Sequence, residues 1–151
     1  MAKHLIKTEK QGMRFVSTFI DQLRGVERRV EKVLADKYGI EYPFAGRSCD
    51  SESASADGGT FGSASEVYYM ENYAVRNRNV SVFCTCCWGY AGRDDSMRVS
   101  VIYHSYDGED RPSDRMRVYV AQGKAARDRA LKKVEALILR HCLRLHRDWN
   151  K

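Results

Sequence analysis

No stretch of this 151-residue chain approaches the roughly 18 consecutive apolar residues of a membrane-spanning helix, so no membrane contact is expected. Also missing are a phosphate-binding loop, a dinucleotide-binding glycine motif and a G-x-S-x-G nucleophile elbow. Met1 to Lys10 alternates basic and apolar residues too briefly for a secretory signal core. Net charge is absent from most of the chain. Of 26 basic and 20 acidic side chains, nine basic and three acidic lie beyond residue 122, so the first 122 residues hold 17 of each and cancel.

What is present therefore concentrates at the C-terminal end, where the last 29 residues carry the whole formal charge of +6. Segregated charge predicts contact with something acidic. At 43% hydrophobic and 30% charged, the chain as a whole is not disordered, and its length suits one domain with one core.

Five cysteines cannot all pair with one another. Three crowd together at Cys84, Cys86 and Cys87, where neighbouring strand positions rarely meet disulfide geometry. Free thiols in a reducing cytoplasm are the expectation. Cys84, Cys86, Cys87, Cys142, His141 and His146 supply soft ligands, yet no C-x₂-C pair faces a second pair or an H-x₃₋₅-H, so no metal and no cofactor is expected. Cys84 and Cys86 read as small core residues. A Cys87–His104 pair and the carboxylates Glu66 and Glu71 are the nearest approach to a catalytic set. Spacing puts the two carboxylates on opposite strand faces, and a non-enzymatic protein is expected.

From about Glu9 to Tyr38, apolar residues at Val16, Phe19, Ile20, Leu23, Val26, Val30, Val33 and Leu34 keep the three-and-four spacing of an amphipathic helix. Arg24, Arg28, Glu31 and Lys32 occupy its polar face, with Glu27 one turn before Glu31. Gly25 marks a bend or a close contact, and Gly39 the stop. Residues 45–65 are rich in Ser, Gly and Asp, which predicts a flexible loop, either a tolerated insertion or a lid.

The period then changes to two. Val67 to Val75, Val80 to Trp88, Met97 to Tyr103 and Arg115 to Val120 alternate as strands, joined by turn-like connectors at 76–79, 89–95 and 107–114. A helix from about Lys124 to Trp149 closes the chain, with Ala126, Ala130, Val134, Leu137, Ile138, His141 and Leu145 as its buried stripe. The expected fold is α+β, a single domain ordered α-β-β-β-β-α: a four-stranded antiparallel meander with two helices packed on one face.

Two surfaces emerge from these periods. On the last helix Arg129, Lys133, Arg140, Arg144 and Arg147 fall within an arc of roughly 60° at about 100° per residue. Folding does not require five like charges on one ridge, and polyphosphate or an acidic protein surface would relieve their repulsion. On the uncovered sheet face Arg98, Arg115, Arg117 and Tyr119 accompany Phe83 and Ile102, a chemistry shared by base stacking and protein–protein hot spots. The acidic turns Asp94-Asp95 and 107–114 border that face and tilt it toward protein contact or a homodimer.

The stretch Gly123-Lys-Ala-Ala-Arg-Asp-Arg-Ala-Leu-Lys-Lys133 resembles the basic start of the second helix in the double-stranded RNA-binding domain, which runs helix, three strands, helix. The resemblance implies phosphate contacts at Lys124, Arg127 and Lys132 or Lys133. It covers that segment alone, since this chain has an extra strand and a longer first helix. The functional expectation is a small basic binding protein that contacts nucleic acid, or a nucleic-acid-handling complex, through its C-terminal helix. The alternative is a protein–protein inhibitor or adaptor, such as a phage or mobile element carries, acting through the open sheet face.

Overall fold

A computed structural model describes residues 2–40, 46–72, 78–104 and 114–149. The end of the strand expected at 67–75, from 73 onward, and the parts 76–77 and 107–113 of the connectors expected at 76–79 and 107–114 lie outside the described residues, as do the side chains of Glu71, His104, Leu145 and His146.

The N-terminal helical segment begins at a capping box. Gln11 N donates to Thr8 Oγ1 and Thr8 N donates to Gln11 Oε1, both at 3.2 Å, satisfying backbone donors that the first turn leaves open. The segment is two helices, α1 (Glu9–Asp21) and α2 (Leu23–Tyr38), jointed at Gln22 rather than at Gly25. The joint redirects the apolar stripe: α1 packs on the sheet, whereas α2 packs on the C-terminal helix. Glu27, expected on the polar face, is 1% exposed, because that second contact covers it. Gly39 ends α2 in the left-handed region at φ 65°.

The sheet has five antiparallel strands in sequential order, not four: β1 (Gly46–Ala56), β2 (Phe61–Asn72), β3 (Arg78–Trp88), β4 (Ser96–His104) and β5 (Asp114–Tyr119). The additional strand is the Ser/Gly/Asp segment expected as a loop. β1 pairs with β2 over an unbroken register from Gly46↔Glu71 to Ala56↔Phe61. Its small polar side chains give no apolar alternation, so backbone pairing to β2 defines it. The long helix α3 (Gly123–Trp149) follows a single 3₁₀ turn at Val120–Gln122.

The α+β layout is two-layered, with helices at both ends of the chain covering one sheet face. α1 lies over β1, β2 and β3, and α3 lies over β3, β4 and β5. The core between the layers takes Val80, Val82, Cys84, Cys86 and Trp88 from β3 and Met97, Val99 and Val101 from β4, all at 0% exposure. Phe19, Leu23, Val134 and Ile138 meet them from the helices.

A strap at residues 3–6 is pinned to the turn between β3 and β4. The Asp95 carboxylate accepts from Leu5 N (2.7 Å), Ile6 N (2.9 Å) and Gly89 N (2.8 Å), and lies 3.0 Å from His4 Nδ1. Asp95 N donates to Lys3 O, and Val120 N donates to Asp95 O. One residue thus joins the strap, the turn and the end of β5.

Candidate binding surfaces

The first surface is the outer flank of α3. The heptad-like spacing leaves Arg129, Lys133, Arg140 and Arg147 exposed, with Arg144 half-buried beside the stripe that enters the core. Two of the helix's three acids are engaged elsewhere: Asp128 Oδ2 accepts from Lys124 Nζ at 2.8 Å, and Glu135 pairs with Arg29 of α2, while the side chain of Asp148 lies outside the described residues. Among the described residues no ion pair engages Arg129, Lys133 or Arg140. Their charge therefore projects uncompensated along about three turns.

Two of the positions marked by the double-stranded RNA-binding resemblance are otherwise occupied. Lys124 holds Asp128, and the Arg127 guanidinium stacks 5.7 Å from the Phe15 ring centre. Lys132 and Lys133 remain exposed.

His141 is 2% exposed at the inner side of the same helix, its Nε2 3.6 Å from Asp114 Oδ2 of β5. Burial is the main influence lowering its pKa, reinforced by Arg144 and opposed by Asp114. The imidazole is thereby kept neutral at neutral pH.

The second surface is the sheet face opposite the helices. Antiparallel register aligns side chains from all five strands into rows across it. One row reads Glu52, Ser65, Thr85, Arg98, Arg117, and the next reads Asp50, Val67, Phe83, Ser100, Arg115. Arg98, Arg115 and Arg117 are exposed and border a hollow of about 280 Å³, which Phe83 and Ile102 floor. Phe83 and Ile102 are half-buried rather than exposed; Phe83 lies between Val67 and Ser100 in the register, and Ile102 opposite Ser81. Tyr119, opposite Ser96, is half-buried and does not line the hollow.

Residues that sequence reasoning passed over also shape this face. Arg93 stacks 5.2 Å above the Tyr90 ring, which meets Phe61 edge-on at 5.8 Å between centres. The pairing of Tyr90 with Arg93 in one turn was the available signal. Asp50 and Glu52 line a neighbouring hollow of about 210 Å³ that shares the Phe83 wall. Both lie in the segment whose Ser/Gly/Asp composition predicts a loop.

Of the bordering acids, Asp95 does not act on this surface as a free charge. Its side chain is 1% exposed. Burial pushes its pKa up, but hydrogen bonds from Ile6, His4, Gly89 and Leu5 outweigh this and hold it below the usual carboxylate value.

All five cysteines are free. Cys84, Cys86 and Cys142 are buried, Cys87 is half-buried and Cys49 is exposed. Burial drives the Cys86 thiol up to about 12 and the Cys84 and Cys142 thiols in the same direction, so these three stay protonated and unreactive. Among the described residues no group of three or more His, Cys, Asp or Glu could hold a metal ion, and no helix is long and apolar enough to cross a membrane. Comparison with protein-family models, with curated proteins and with solved structures found no match.

Proposed function

We propose that this protein is a non-enzymatic binding protein that contacts nucleic acid through the outer flank of α3, with Arg129, Lys133, Arg140, Arg144 and Arg147 supplying the electrostatics. One observation carries the reading: Asp128 and Glu135, the acids of the helix whose side chains are described, are paired with Lys124 and Arg29. Among the described residues, the ridge cations Arg129, Lys133 and Arg140 consequently face outward without an ion-pair partner. Folding does not require a row of cations at one helix edge, and a phosphate backbone would neutralise it. The partner class is a polyphosphate chain, free or within a nucleic-acid-handling complex.

The test is fluorescence anisotropy with labelled duplex DNA, duplex RNA and single strands at about 50 and 200 mM salt. Each phosphate neutralised on a duplex contributes a slope of about −0.9 in log K against log salt. Binding that weakens by roughly a hundredfold or more over that range, and that Lys133→Glu with Arg140→Glu abolishes, is the expected result. Absence of binding at about 50 mM salt, or indifference to the double reversal, sinks the reading and moves the function to a protein partner.

A further inference from the structure

The outer sheet face is electrostatically split, and the split has a symmetry. β1 contributes Asp50 and Glu52 at one edge; β4 and β5 contribute Arg98, Arg115 and Arg117 toward the other. The middle strand, β3, carries Phe83 between the acidic hollow and the basic one. Because β3 is central in the order β1-β2-β3-β4-β5, a half-turn about an axis parallel to β3 exchanges the two edges. A second copy placed face to face by that operation sets its β1 over the first copy's β5, and its β5 over the first copy's β1. Acid meets arginine twice, and the two Phe83 rings meet near the axis.

We infer that this face is a two-fold interface between two copies of the chain, formed by the uncovered sheets packing with β1 over β5. Complementary charge at the edges joined to an apolar centre is the arrangement expected of a self-complementary patch. Any other single partner would have to present the same gradient reversed; the chain itself already does. Size permits it. Five strands at about 4.8 Å spacing, each roughly 20–40 Å long, present about 600–800 Å², near the 800 Å² per partner of a standard interface. Half-exposed Val67 and Ile102 flank Phe83 and would be covered with it. Such packing leaves α3 on the outside of the pair, so each dimer displays two basic ridges. The inference goes beyond the nucleic-acid reading and does not depend on it.

Sedimentation equilibrium on the full chain tests it. The wild type is expected to be dimeric at about 100 µM in 0.05 M salt, and its dissociation constant to rise roughly tenfold or more at about 0.5 M. Asp50→Arg with Glu52→Arg makes both edges basic, and Arg115→Glu with Arg117→Glu makes the β5 edge acidic like β1. Each double variant alone should be monomeric, and a one-to-one mixture should dimerise, since every edge then meets its opposite. Circular dichroism establishes that the variants are folded.

A second measurement needs no variant. Cys87 lies on the same face of β3, so across sheets packed about 10 Å apart a short bis-maleimide should link Cys87 to Cys87 of the partner subunit. A monomeric wild type at about 100 µM and low salt overturns the inference. So does a dimer that survives both reversals, or one in which Cys87 fails to cross-link while Cys49 does.

Discussion

The six-membered ring of Trp88 occupies the space in which a side chain at Gly12 would begin. A Cβ built on Gly12 falls well inside van der Waals contact of Cζ3, Cε3 and Cη2 of the indole. The indole is fixed from its other side, since Nε1 donates to Gly59 O at 2.8 Å and the residue is 0% exposed. The position of α1 on β3 is thus set by the absence of one carbon.

Gly12→Ala therefore overpacks a rigid contact. The helix-propensity gain of up to about 1 kcal/mol is outweighed, and a net loss of about 1–3 kcal/mol is expected. Gly25→Ala is the control, because its Cβ meets only the guanidinium end of Arg29, at 3.3 Å, which is paired with Glu135 but exposed and can shift by a few tenths of an ångström. There a gain of about 0.5–1 kcal/mol is expected. Urea titration of both variants checks the pair; equal effects at the two glycines would refute the account.

The Asp95 carboxylate holds the strap at residues 3–6 through two backbone amides and anchors the turn through Gly89 N. Asp95→Asn keeps the size but turns one acceptor oxygen into a donor group facing N–H groups. A loss of about 2–3 kcal/mol is expected, with faster proteolysis near residues 3–6. The folded-state pKa of Asp95 is depressed, so its contribution is fully present above the unfolded carboxylate value of about 3.9. It fades as pH falls below that value through the folded one. The wild type should lose stability in that acid window, and Asp95→Asn should flatten the loss.

How much of this was legible in the sequence divides by side-chain type. Strands that bury apolar residues at every second position, such as Val80 to Trp88 and Met97 to Val101, announce themselves, and so do helices with a stripe. β1 does not. Its side chains from Cys49 to Ala56 are small or acidic, and its existence depends on eleven paired positions contributed by β2. Local composition cannot register a long-range partner. The same blindness hid the acidic edge at Asp50 and Glu52, while Arg98, Arg115 and Arg117 were visible because their own strands were. Periodicity alone assigns Glu27 to the polar face, since it carries no information about which way a joint turns, and the joint at Gln22 turns α2 toward α3.

Thiol chemistry offers a quick check of the layers. Cys49 is exposed, whereas Cys84, Cys86 and Cys142 are sealed in the core. Partial desolvation raises the Cys49 pKa, helped by the nearby Glu66 charge. With a disulfide reagent on the folded protein, Cys49 should modify first and Cys87 more slowly, with Cys49 accelerating as pH rises through and beyond about 9. The three core thiols should react only on unfolding. Early modification of Cys84 or Cys142 would contradict the packing of β3 and α3.

The last prediction concerns His141, which two neighbours pull in opposite directions. Burial and Arg144 lower its folded-state pKa below the ordinary value near 6.5, and Asp114 works against them. The unfolded chain then binds a proton that the folded chain resists, so stability is complete above about pH 6.5 and declines as pH falls toward the depressed folded value. Asp114→Asn removes the opposing carboxylate, pushes the folded pKa lower still and should deepen the decline. Arg144→Gln removes a repelling charge and should make it shallower. The two variants need only be compared by thermal denaturation between about pH 4.5 and 7.5, relative to their own values at the upper end. A decline displaced in the same direction by both would mean that His141 is not the titrating group, and His141→Gln, which has no proton to take up there, should abolish the difference between them.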